Sequence, residues 1–120
     1  MKILHLSTND IQGGAARAAY RLHEGLLAIG EDSRMLVFGK HSRDPHVLSA
    51  GPRAGMLGQG MRRLVRAGYV DANRAEGADT LVSFAHSGRN VLEHPWVSEA
   101  DVIHFHWVND LLTVEDVGRL

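Results

Sequence analysis

The 120-residue chain has no cysteine, so disulfides and thiolate metal sites are excluded. It also lacks any uninterrupted apolar run near the ~20 residues needed to span a bilayer. Its opening, Met1-Lys2-Ile3-Leu4-His5-Leu6-Ser7, turns polar too soon for a secretory signal. These absences lead us to expect a cytoplasmic protein that at most touches a membrane peripherally. Charge of one sign is scarce as well. A formal net charge of −1 gives no electrostatic drive toward nucleic acid. Internal repeats and low-complexity tracts are absent, and the length suits one domain.

Two phosphate-binding signatures are missing. No G-x-G-x-x-G spacing occurs, and the end of the expected second strand reads Phe38-Gly39-Lys40, with no acid to hold a ribose. Both features argue against an NAD site, and no Walker A loop is present.

What the sequence does contain is an α/β pattern. Ile3-Leu4-His5-Leu6 reads as a buried parallel strand. Ser7 to Gly14 is turn-rich. Ala15, Ala19, Leu22, Leu26 and Ile29 then recur at helical intervals, and Gly30 supplies a stop. Arg34 to Phe38 reads as a second strand. Strand, glycine loop, helix and strand make a βαβ unit, with right-handed crossover.

Residues 41–60 read as loop with a short strand at Val47-Leu48. A helix is expected from Met61 to Val70, with Met61, Leu64, Val65 and Tyr69 on one side. A short strand fits Leu81 to Phe84, and Pro95 limits regular structure between 86 and 100. Ala100 to Trp107 reads as another buried strand. Thr113-Val114-Glu115-Asp116 matches a capping box that starts a helix near Val114. A chain ending at Leu120, inside that helix, is what a truncated domain looks like. The expected fold is therefore an α/β, Rossmann-like parallel sheet flanked by helices, with 1–120 as a single partial domain.

Three segments are able to carry chemistry. In Thr8 to Arg17, Gly13 and Gly14 open a helix whose free N–H groups and positive dipole end favour a phosphate. The other reading is a plain turn that needs a left-handed residue. In His104-Phe105-His106-Trp107-Val108-Asn109, the two histidines share a strand face. A metal pair is one reading, opposed by the lack of cysteine and by the scatter of the other histidines along the chain. The preferred reading puts His106 and Asn109 at the carboxyl edge of the sheet, where open α/β folds bind ligands. His104 is then a buried histidine with a hydrogen-bonded ring. The third segment, Arg53 to Arg74, carries five arginines against Asp71. It reads either as a solvated face or as a surface for an anionic lipid or acceptor.

The stretch from Met1 to Leu26, centred on Gly13-Gly14-Ala15-Ala16-Arg17-Ala18-Ala19-Tyr20, resembles the opening of family 4 GT-B glycosyltransferases of bacterial polysaccharide pathways, colanic-acid-type enzymes included. Ala100 to Asn109 and Leu111 to Leu120 are similar to the same family. The resemblance implies an N-terminal, acceptor-side domain facing a second, donor-binding domain. Gly13 and Gly14 would reach the donor diphosphate, Arg17 would add charge there, and His106 would sit beside the transferred sugar. Asn9 and Asn109 would lie on the acceptor side. The partners implied are a nucleotide-sugar donor and a glycan or lipid-linked acceptor. Transfer would retain configuration and use no bound metal or other cofactor. The paired glutamates of the donor domain are not in these residues, so the isolated chain is expected to be inactive. The rival expectation is a non-catalytic half-Rossmann module that binds a phosphorylated ligand or a protein partner. An exposed sheet edge would favour homo-oligomers in either case.

Overall fold

The structure, a computed structural model, describes residues 1–51, 60, 64, 65, 67–69, 72 and 89–120. Four strands lie among the described residues: β1 (Lys2–Asn9), β2 (Asp32–Gly39), β3 (Val47–Ser49) and β4 (Val102–Phe105). The helices whose two ends are described are α1 (Gly14–Ala28), α2 (Pro95–Glu99) and α3 (Val114–Val117). The strands form one parallel sheet in the order β3-β2-β1-β4, an α/β, Rossmann-like arrangement.

This order follows from burial. Strand β1 is buried on both faces and takes the centre, with Ile3, Leu4, His5, Leu6 and Ser7 all buried. On one face, Ala19 of α1 packs with Met35, Val37 and Val47 of the sheet. On the other, Leu4, Leu6 and Leu36 pack with Ala50, Val91, Leu111 and Leu112, joined by Trp96 and Val97 of α2. The chain changes face between β3 and β4, so β1 and β4 flank the point where strand order reverses. Ligands of open α/β sheets bind at such a point.

The helix ends are encoded locally. Gly30 sits at φ +88°, its N–H bonds the Leu27 carbonyl and Glu31 N–H bonds Leu26, a Schellman stop. Asp116 N–H donates to the Thr113 hydroxyl at 3.1 Å while Thr113 N–H donates to the Asp116 carboxylate at 3.0 Å, so the expected capping box is formed. Pro95, expected to limit regular structure, instead opens α2 at a position where its missing N–H costs nothing.

Two expectations about apolar faces need correction. The buried face of α1 is Ala16, Ala19 and His23, whereas Ala15, Leu22 and Ile29 are exposed. Small alanines let the helix lie close to the sheet, and His23 is tolerated there because its ring is hydrogen-bonded. Strand β4 is not buried either: Val102 and Phe105 are exposed because β1 is its only neighbour among the described residues.

Of the helix expected from Met61 to Val70, the described residues 64, 65 and 67–69 are helical, and Leu64, Val65 and Tyr69 are exposed. The strand expected at Leu81 to Phe84 and all five arginines of the basic segment lie outside the described residues. No helix among the described residues is long and apolar enough to cross a membrane.

Candidate functional site at the carboxyl edge of the sheet

Strand β1 delivers Thr8, Asn9 and Asp10 to the carboxyl edge of the sheet. Thr8 then ties down the segment that follows β4. Its N–H bonds the Trp107 carbonyl at 2.6 Å, and its hydroxyl donates to the Asn109 carbonyl at 2.6 Å. These bonds fix Asn109 beside the end of β1. The Asn109 Oδ1 is buried there without a hydrogen-bond partner among the described residues. His106 N–H bonds the Leu6 carbonyl, which extends the β1–β4 ladder to the edge of the crevice.

The loop from β1 to α1 is anchored by Asp10, a residue that sequence reasoning passed over. Its buried carboxylate accepts from the N–H groups of Ile11, His41 and Ser42 at 2.7–3.0 Å. Burial alone would raise this carboxyl. The bonds from Ser42, His41 and Ile11 override that and hold it below its usual value. Asp10 thereby clamps the first loop to the loop that follows β2.

Beyond the clamp, Gly13 has φ +94° and ψ 164° and caps α1 with no side-chain hydrogen bond. The first turn of α1 carries no acid. Its N–H groups therefore have no side-chain cap at the positive end of a 15-residue helix. Arg17 is exposed and its Nε reaches back to the Gly13 carbonyl at 3.4 Å. A Cβ added at Gly13 or Gly14 would meet nothing within 4 Å. The left-handed reading thus accounts for Gly13. Neither packing nor a positive φ accounts for Gly14.

Gly13, Gly14 and Arg17 are gathered at the start of α1, and His106 and Asn109 at the end of β4. Asn9 stands between them but leans on β2, since a Cβ at Gly39 would collide with its Oδ1.

Histidines dominate the β4 side. His5 and His104 are partners in the β1–β4 register, and His106 follows on the same face. The His104 and His106 rings lie 4.2 Å apart between centroids, and His5 Nδ1 is 3.0 Å from His106 Nε2. His104 is exposed, not buried as expected, because β4 lies at the sheet edge. Of the other histidines, His23 comes close to this group in space. His23 meets His5 edge-on at 6.1 Å, and its Nδ1 bonds the Ser33 hydroxyl at 2.7 Å. On its far side, His23 Nε2 is 3.4 Å from Asp44.

Burial, reinforced by the neighbouring imidazoles, pushes His5 down to about 4. Burial and His104 push His106 down as well. His5 and His106 are therefore neutral imidazoles near pH 7, each with one lone pair and one N–H donor. His5 was missed because nothing in its local sequence marks it. The available signal was the pairing of β1 with β4.

An open cleft lined by Asn90, Leu92, Glu93, Glu115, Asp116 and Arg119 contains none of the residues nominated from sequence. Comparison with known proteins finds no matching family model, no similar curated protein and no similar solved structure.

Proposed function

We propose that this chain is the acceptor-side half of a GT-B glycosyltransferase that moves a sugar from a nucleoside-diphosphate donor to a glycan or lipid-linked acceptor. The observation that supports this best is the pairing of two chemistries at one sheet edge: a glycine-opened, uncapped helix N-terminus after β1, and His106 with Asn109 after β4.

In this reading the helix N-terminus and Arg17 receive the donor diphosphate. Negative charge grows on that group as the glycosidic bond breaks, and preorganised N–H donors stabilise it. Gly14 keeps the backbone open to the phosphate oxygens. His106, held neutral by burial, hydrogen-bonds a hydroxyl of the transferred sugar. Asn109 and Asn9 face the acceptor. Transfer retains configuration and needs no metal at the leaving group. The remaining cations for the diphosphate come from a second Rossmann-like domain. The setting is the cytoplasm, at most peripheral to the inner membrane, and the side of β4 left open among the described residues favours self-association.

The rival reading, a binding module for a phosphorylated ligand, draws on the same helix N-terminus but gives His106 no role. Sugar transfer by the product of the whole reading frame, assayed over a panel of nucleoside-diphosphate sugars, separates the two. We expect transfer, and a loss of at least about 100-fold for both Gly14→Val and His106→Ala. No transfer from any donor, or full turnover in both variants, overturns the transferase reading.

A further inference from the structure

We propose that His5, His104 and His106 form a three-imidazole site for a late first-row divalent cation, zinc foremost, with its fourth coordination position open to solvent. The site stands independently of the transferase reading.

The geometry begins with the sheet. Parallel pairing sets His5 opposite His104, and the two-residue period of a strand returns His106 to the same face. One ring nitrogen from each histidine lies within 4.8 Å of the other two. In a tetrahedral site with Zn–N bonds of ~2.0–2.1 Å, ligand nitrogens stand roughly 3.3 Å apart. His5 Nδ1 and His106 Nε2, at 3.0 Å, already lie near that edge length. His104, whose ring is exposed beside His106, closes the set by rotation of that ring.

His5 has no accessible surface, so its ring is held in place with Nδ1 facing His106. Each neutral imidazole carries one lone pair, so three rings within reach of one point can supply three nitrogen ligands at once.

The donor set determines the class of ion. Three neutral nitrogens with no carboxylate suit zinc, copper, nickel or cobalt and disfavour magnesium and calcium, which seek oxygen. His5 is buried while His104 is exposed and His106 half-buried, so the ion is reached from the β4 side and retains a position for water. A sugar hydroxyl and a cation cannot share the His106 lone pair. If the transferase reading also holds, zinc inhibits transfer.

The test is a titration of the tag-free full chain with Zn²⁺ against a chromophoric chelator, repeated with Co²⁺ for its visible spectrum. We expect one equivalent bound with roughly micromolar affinity or tighter and a four-coordinate cobalt spectrum. His104→Ala and His106→Ala should each weaken binding by at least about 100-fold, while His41→Ala leaves it unchanged. Absence of saturable binding, a six-coordinate cobalt spectrum, or equal affinity in His104→Ala overturns the site. Should His5→Ala unfold, His104→Ala decides, because its exposed ring contributes nothing to the core. Zinc binding that persists while no donor supports transfer removes the transferase reading and leaves the ion site standing.

Discussion

His5 Nδ1 lies 3.0 Å from His106 Nε2, although 101 residues separate them in the chain. One ring belongs to the central strand and is wholly buried; the other stands at the mouth of the crevice. The contact joins the core to the candidate site and leaves neither residue free to change alone. Without metal, His106→Ala strips His5 of its one ring partner in this pair and should cost about 1–3 kcal/mol, the usual penalty for an unsatisfied buried polar group. His106→Gln, which keeps a donor and an acceptor, should recover much of that loss. Chemical denaturation in the presence of a chelator measures both. Equal stability of wild type and His106→Ala would mean that the pair does not form in solution.

The two glycines should separate by conformation. Gly13 sits at φ +94°, where a side chain is strained, so Gly13→Ala should lower stability by roughly 1–2 kcal/mol. Gly14 opens the helix proper with free space around it, so Gly14→Ala should be neutral or stabilise by up to about 1 kcal/mol. A denaturation midpoint that falls equally in both variants would contradict this assignment. If Gly14 exists for ligand access, its bulkier variants lose binding while they keep the fold.

Asp10 gives the fold an acid limit. Its carboxyl is held below the ordinary aspartate value of 3.8 in the folded state, so the unfolded chain binds a proton first as pH falls. The stability it contributes is fully present above pH 3.8 and is lost as pH drops through the lower folded value. Asp10→Asn keeps the shape but removes the charge and one strong acceptor. It should cost about 2 kcal/mol at neutral pH and flatten the acid limb of the stability curve. Urea midpoints from pH 7 to 3 test this, and parallel curves for the two proteins would exclude the role assigned to Asp10.

The sheet was legible because apolar runs mark strands, buried or not: those around Leu4, Leu36 and Ile103 fall within β1, β2 and β4. The caps at Gly30 and Thr113 were legible because their chemistry is local. The face of α1 was not. Counting apolar residues selected Leu22, which is exposed, over His23, which is buried. Burial of His23 depends on Ser33 and Asp44, groups that come near only once β2 and the following loop are in place. The imidazole cluster was hidden for the same reason. His104 and His106 announce a shared face, but their third member lies at the other end of the chain and is recruited by strand order.

That strand order also leaves β4 with an open side among the described residues. His106 N–H bonds Leu6 of β1, and successive strand amides alternate in direction, so the Phe105 N–H points away from β1. Val102, Phe105 and Trp107 are exposed along this edge at 42%, 38% and 53%. An unpaired, apolar edge is a template for another strand, whereas a lysine in it discourages pairing. We therefore expect concentration-dependent self-association of the chain in sedimentation velocity. Phe105→Lys should shift it to monomer with little loss of stability, because Phe105 is absent from the packed core clusters. If wild type and variant sediment alike as monomers, the β4 edge is not an association surface. If both sediment alike as dimers, the chains meet through another surface, and the exposed Leu22 and Ile29 of α1 become the next residues to substitute.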